Sequence, residues 1–328
     1  MHKRFFRAQR RHLPRVGYAA IAGLLGVSAI TGIHQQPEDR VPTPAEAAEM
    51  LQQPELPSFL AAFDSDAVET AATEAAADQI QWDLANIDHP RVDYWVERFM
   101  TDKRDQFERF LTRQGKYEEM ITAKLEERDM PRDLIYLAMI ESGFQEKAYS
   151  SADASGIWQF IAPTARRYGL DINRAVDERN DPARATDAAL DYLSDLHDRF
   201  DSWYLAAASY NTGENRVGRI MRQETGSERG EDADYYRIWD RLPRETRDYV
   251  PLMIAAARIA KDPARYGFDH VEPLPPVVTK SVTAAPATPL SRIAKDAGLT
   301  VGELKKLNPQ LKLNRTRNDQ RSVVRVPA

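Results

Sequence analysis

From residue 90 to about residue 268, apolar residues return at intervals of three and four, and strict alternation of apolar and polar residues persists nowhere in that span. A period near 3.6 gives each helix one apolar stripe, whereas a half-buried strand needs a period of two. The body of the chain is therefore expected to be packed helices. In HPRVDYWVERFMTDKRDQFERFLTRQG, Val92, Trp95, Val96 and Phe99 share one face of a helix expected to run to Gly115. KYEEMITAKLEERDM gives a second helix. Pro131 then stands where a first helical position tolerates it, opening LIYLAMIESGF. Pro163 starts a short helix, and Pro182 precedes a long one with Ala185, Ala188, Ala189, Tyr192, Leu196 and Phe200 at helical spacing. WYLAAASYNTG follows and stops at Gly213, and two further helices are expected near 215–224 and 245–261. Residues 81–268 thus read as one all-α domain.

The pattern changes on both sides of that body. A Pro-rich linker at 269–276 leads to residues 277–328, which read strand, helix, helix, strand, a small α+β (βααβ) module. Thr300, with Glu303 three residues on, forms a capping-box signature for the second of those helices. At the other end, Lys3, Arg4, Arg7, Arg10, Arg11 and Arg15 precede an uncharged segment, 17–33. Residues 1–34 therefore read as a signal peptide or an N-terminal membrane anchor, with Val27-Ser28-Ala29 as a small-x-small cleavage site. Residues 35–80 are rich in Pro, Ala, Glu and Asp and read as a disordered acidic linker, interrupted by a short helix near 51–63. The expected location is the periplasm or cell envelope, with membrane association through 17–33.

Composition excludes several functions. The formal net charge is −5, with no basic face for a nucleic-acid partner. The chain has no cysteine, so disulfides, thiol catalysis and Cys-ligated metal are excluded. Its six histidines are scattered without ligand spacing, so no metal and no cofactor are expected.

The residue that stands out is Glu141. Leu134, Leu137, Ala138 and Glu141 lie at i, i+3, i+4 and i+7, placing a carboxylate on an apolar face just before a polar loop. Burial raises a carboxyl pKa and keeps a proton available near neutrality, which suits a general acid. On spacing alone, a glutamate at a helix end that simply reaches water fits equally well. After Phe144 come Ser150, Ser151, Ser155 and Gly156, too small and polar for core. GIWQF sets Gln159 between Trp158 and Phe160, and SYNTG sets Tyr210 and Asn211 ahead of a Gly stop. Amides and phenols beside aromatic rings suit a carbohydrate groove. Taken singly, Trp158 and Phe160 also fit plain core and Asn211 a helix cap.

Taken together and in order, Glu141-Ser142, Gly156-Ile157-Trp158-Gln159, Tyr210-Asn211-Thr212-Gly213 and Glu245-Thr246-Arg247-Asp248-Tyr249-Val250 resemble the motifs of the Slt-type lytic transglycosylases. HPRVDYWVERF ahead of them narrows the resemblance to the D branch of the membrane-bound lytic murein transglycosylases. The resemblance covers residues 82–268 and implies a goose-lysozyme-like all-α catalytic domain. It implies Glu141 as the catalytic acid/base. It implies Ser142, Ser150, Gln159, Tyr210, Asn211 and Tyr249 as substrate-binding residues, with Glu245 meeting the peptide stem. Ile157-Trp158 stands where many relatives have Leu-Met. Residues 277–328 resemble LysM modules, which bind N-acetylglucosamine-containing glycans. Ala287-Thr288-Pro289 replaces the usual Gly-Asp at the opening, and 312–327 is a loose version of the closing stretch.

The implied reaction cleaves the β-1,4 bond between N-acetylmuramic acid and N-acetylglucosamine in peptidoglycan, leaving a 1,6-anhydromuramyl end, with one glutamate as acid and then base. Ordinary glycosidases use two carboxylates; here only Asp153, in the polar loop, is a rival for the second. A hydrolytic muramidase on the same fold, and a non-catalytic peptidoglycan-binding protein, remain as alternatives. The expected partner is the glycan strand.

Overall fold

The computed structural model describes residues 80–328. The export or anchor segment of 1–34, the acidic linker and the short helix expected near 51–63 lie outside the described residues. The rest is mainly helical, as the spacing predicts. Helices α1 (Pro90–Met100), α2 (Arg104–Gln114), α3 (Glu118–Glu126), α4 (Ile135–Ser142) and α5 (Ala162–Arg167) come first. They are followed by α6 (Pro182–Phe200), α7 (Trp203–Thr212), α8 (Glu214–Thr225), α9 (Asp232–Arg237) and α10 (Arg244–Lys261). Strands β1 (Thr279–Ala284) and β2 (Ser322–Pro327) flank α11 (Leu290–Asp296) and α12 (Val301–Leu307).

Start and stop signals explain most boundaries. Pro90 begins α1 behind His89, whose ring accepts from Arg91 N–H at 3.1 Å. Asp181 caps α6 through Ala183 and Arg184 N–H, again with a proline in the first turn. Ser202 caps α7 by accepting from Leu205 N–H at 3.1 Å. Thr300 and Glu303 form the expected capping box of α12.

Two expectations are corrected. The helix expected from residue 90 to Gly115 breaks at 101–103 into α1 and α2. The apolar residues require the break. The Phe99 and Phe107 rings sit 4.4 Å apart, centroid to centroid, whereas eight residues of continuous helix would separate them by about 12 Å along the axis. Pro131 does not open α4 either; it precedes a 3-10 turn, Arg132–Leu134, that leads into α4.

Helix α4 has no exposed face. All its residues from Ile135 to Ser142 are buried, as are those of α7 from Tyr204 to Thr212. A helix apolar all round belongs in the interior, and each buried Leu or Ile contributes about 1.5–3 kcal/mol. Helix α10 packs against α1, α4 and α7, so the three elements bearing the Glu141, Asn211 and Tyr249 motifs meet in the core.

Pro251 lies inside α10 and removes the N–H that would bond Arg247 C=O. That carbonyl instead accepts from Tyr235 OH at 2.9 Å and Trp239 Nε1 at 2.8 Å. The turn carrying Glu245 and Tyr249 is thereby held from outside the helix. The expected βααβ order is present in the C-terminal module, whose strands pair antiparallel with Val282 opposite Val324.

Candidate active site

Glu141 occupies the last turn of α4. Gly143 ends that helix at φ +56°, and Phe144 continues left-handed at φ +61°. A Cβ at position 143 would sit 2.1 Å from the Phe110 ring, so only glycine fits there. The carbonyl end of a helix is a poor place for a negative charge. Glu141 is 4% exposed, and its Oε1 accepts from Tyr249 OH at 2.5 Å. Burial pushes its pKa from the ordinary 4.5 up to about 8; the Tyr249 hydrogen bond opposes that rise and the neighbouring Glu245 carboxyl adds to it. At neutral pH the group is a protonated acid. With Oε1 facing Tyr249, Oε2 is the oxygen left to carry the proton.

Within the polar stretch after Phe144, Ser151 is exposed as its composition suggests, but Ser150, Ser155 and Gly156 are buried, contrary to that expectation. Ser150 is 2% exposed and Ser155 is 3% exposed. Small hydroxyls can enter a core when the local backbone satisfies them. Ser150 Oγ accepts from Ala152 and Ala154 N–H at 3.2 and 3.0 Å, and Ser155 Oγ donates to Asn180 Oδ1 at 2.8 Å. Residues 149–160 fold as a tight hairpin, with Ser155 bridged to both Tyr149 and Phe160. Gly156 sits at φ +87°, and a Cβ there would be 1.8 Å from Arg179 C=O.

Each carbonyl of the Gly156-Ile157-Trp158-Gln159 turn is tied down up to Trp158. Gly156 C=O accepts from Gln159 Nε2 at 2.8 Å, Ile157 C=O from Ser142 Oγ at 2.9 Å, and Trp158 C=O from Tyr210 OH at 2.8 Å. Ser142 and Tyr210 therefore lace the hairpin to α4 and α7. Gln159 itself is at φ +48° and is buried. Its Nε2 also donates to Ala148 C=O at 3.2 Å, while its Oε1 accepts from nothing among the described residues.

Asn211 does not act as a helix cap. Its Nδ2 donates to Glu245 Oε1 at 3.2 Å and its Oδ1 accepts from Thr246 Oγ1 at 2.8 Å. Burial raises the Glu245 pKa, and the Asn211 bond works against that rise. Tyr210 and Tyr249 are buried phenols held far above their ordinary pKa by that burial and by Glu141, so both stay protonated. The structure thus gathers Glu141, Ser142, Gln159, Tyr210, Asn211 and Tyr249 through direct bonds or a shared turn. Ser150 lies at the start of the same hairpin.

Trp158 and Phe160 are core, not sugar platforms: they are 0% and 2% exposed, and Trp158 Nε1 donates to Thr186 Oγ1 at 2.9 Å. Asp153 is exposed and accepts from Tyr149 OH at 2.5 Å. The carboxyl that acts electrostatically on Glu141 is Glu245, a role its sequence position did not signal. Asp248 was also unassigned. It pairs with Arg91 and accepts from Trp95 Nε1 at 3.2 Å, fastening α1 to α10. The HPRVDYW stretch is therefore the clamp on the helix that carries Tyr249. Arg179, in the turn beneath the hairpin, was missed as well; its buried guanidinium bonds the C=O of Asp153 and of Phe160.

The buried acid at the end of α4, and the glutamine hairpin and tyrosine-asparagine helix laced beside it, fall within a stretch of the chain that matches a known family. Residues 118–232 match the family described as Transglycosylase SLT domain, and residues 278–328 match the one described as Lytic transglycosylase MltD, LysM-like domain. Among individual proteins, the chain is similar to membrane-bound lytic murein transglycosylase D from two strains of Escherichia coli, at 36% identity over 193 residues. That alignment covers 58% of this chain and 42% of each relative, so the chain spans less than half the length of the curated relatives it matches. Among solved structures, an inactive mutant of lytic transglycosylase Slt from Pseudomonas aeruginosa aligns with a TM-score of 0.36 and 22% identity, covering 47% of this chain and 24% of that one.

Proposed function

We propose that this chain is a lytic transglycosylase that cleaves the β-1,4 bond between N-acetylmuramic acid and N-acetylglucosamine in peptidoglycan glycan strands, without consuming water. The observation that carries the reading is the buried carboxyl of Glu141, held protonated at neutral pH by its burial and hydrogen-bonded by Tyr249.

Glu141 gives its proton to the glycosidic oxygen as the bond from the muramyl C1 breaks. The 2-acetamido carbonyl of the substrate stabilises the cationic centre. Glu141, now ionised, takes the proton of the muramyl 6-hydroxyl, whose oxygen bonds to C1. Both protons are accounted for and the acid is restored. The product ends in 1,6-anhydromuramic acid. Tyr249 holds one carboxyl oxygen throughout and donates more strongly to the charged form, which eases the second half of the cycle.

A hydrolytic route needs a second carboxylate, ionised and facing a water. Glu245 is a poor candidate, since burial favours its neutral form and its Oε1 is engaged by Asn211. Gln159 offers its free amide oxygen to a sugar hydroxyl or amide. The names of the curated relatives, membrane-bound and murein-directed, together with the basic-then-apolar N-terminus, support an exported protein working at the cell envelope.

Mass spectrometry of digested peptidoglycan tests the reaction. Products lighter by one water than reducing muropeptides support it. Hydrated reducing ends as the sole product overturn it in favour of a muramidase, and binding to sacculi without any cleavage leaves only a wall-binding protein.

A further inference from the structure

The C-terminal module does not complete its own core. Val176, from the helical body between α5 and α6, sits in the module's apolar cluster with Leu290, Leu304, Leu311 and Val324, and is 4% exposed. Around it the backbones pair. Val176 bridges antiparallel to Leu311, Asp177 N–H donates to Gln310 C=O at 3.0 Å, and Lys312 N–H donates to Ala175 C=O at 2.9 Å. Arg325, on β2, grips both oxygens of Asp181 at 2.8 and 2.5 Å, and Asp181 is the cap of α6.

The other side of the same segment supports the hairpin. Asp177 holds Arg179 by two bonds, at 2.9 and 2.8 Å, both side chains buried. Arg179 Nη1 reaches the hairpin carbonyls of Asp153 at 2.6 Å and Phe160 at 3.0 Å. Asn180 accepts from Ser155, and Arg179 C=O lies against Gly156. Residues 176–181 are therefore a plate with the module on one face and the Gln159 hairpin on the other.

We propose that the C-terminal module is a positioning element of the active site: by seating Val176 and pairing Asp181 with Arg325, it fixes the plate that sets the Gln159 hairpin. A glycan-binding tether joined by a loose linker has no need of a shared core residue, two backbone bonds and a forked ion pair. The linker is not loose either, since Leu274 N–H donates to Thr112 C=O at 2.8 Å and Val277 N–H to Lys116 C=O at 3.2 Å.

The kinetic half of the inference rests on the proposed function; the structural half does not. The test is therefore made in the full chain with two readouts. In Arg325→Ala and in Val176→Ala, the hairpin amides of Ser150, Gly156 and Phe160 should exchange with deuterium about tenfold faster or more, as expected when a charge-assisted bond or a core contact supporting a local unit is lost. On a short soluble glycan with too few sugars to reach the module, kcat should fall several-fold while KM changes little. Arg325→Lys, which keeps the charge but loses the fork, should give intermediate values and keeps the test valid should the alanine variants fail to fold. Faster exchange confined to the module's own β1 and β2 amides, with the hairpin unchanged, overturns the inference. So does a loss of activity seen on whole sacculi but not on the short glycan. A wild-type chain that cleaves no glycan would defeat the proposed function, yet the exchange result would still decide the coupling.

Discussion

Replacing Glu141 by Gln should make the protein more stable above pH 5 while removing its activity. In the unfolded chain Glu141 ionises near 4.5; in the folded protein it holds its proton to about 8. Below 4.5 both states bind the proton and the carboxyl contributes no pH dependence. Between 4.5 and 8 the unfolded state alone releases it, so stability falls as pH rises, and above about 8 the loss is complete. The separation corresponds to ~5 kcal/mol in full and ~3 kcal/mol at pH 7. Glutamine has no proton to lose. The difference in unfolding free energy between Glu141→Gln and wild type should therefore climb by ~1.4 kcal/mol for each pH step of one through that window. It should be flat below pH 4.5. Urea unfolding at pH 4, 5.5, 7 and 8.5 measures it, and the slope is independent of any fixed packing cost of the amide. A difference that stays constant across these four conditions would refute the argument that a buried, protonated carboxyl is the acid.

The remaining expectations use other groups around the same site. Tyr249→Phe removes a bond that favours ionised Glu141, so the alkaline limb of the kcat/KM profile should move above pH 8, and kcat should drop about tenfold or more. Glu245→Gln removes a neighbouring carboxyl that raises Glu141, so the same limb should move down; a pH titration of product formation reads both. Gly156→Ala should destabilise the fold by ~3 kcal/mol or more, visible as a lowered melting temperature, because the new methyl meets backbone rather than a movable side chain. Ala287→Gly should stabilise the C-terminal module by ~1 kcal/mol in urea unfolding, since Ala287 holds φ +54°.

Periodicity was enough to announce an all-α body, because each helix had to bury a stripe. It could not show the break at 101–103: the polar run there fits a helix surface, and only the meeting of Phe99 with Phe107 forbids continuation. Glu141 was legible as an acid among apolar residues, but α4 is buried on every side, so a single-face argument understated its desolvation. Ser150 and Ser155 misled in the other direction, since a sequence does not reveal which hydroxyls their neighbours will satisfy, whereas Ser151 is exposed as expected. Trp158 fitted either a sugar groove or plain core by its chemistry, and the structure puts it in the core, bonded to Thr186. Glu245 and Asp248 stand in one motif but serve different ends, one coupled to Glu141 and the other clamped by Arg91. At Ala287, where the sequence lacks the expected glycine, the backbone nonetheless turns left-handed.

Gln159 holds a backbone conformation that costs a side-chain-bearing residue about 1–2 kcal/mol. Glycine or asparagine at 159 would relieve that cost while deleting or shortening the amide that the proposed function offers to the sugar. Heat tolerance and turnover thus pull in opposite directions at one codon. A library of this chain screened only for survival at high temperature should drift away from glutamine there, whereas one screened for wall cleavage should hold it despite the strain. The same conflict makes position 159 a marker: a homologous chain with glycine at that turn has the easier backbone and has given up the reason for the harder one.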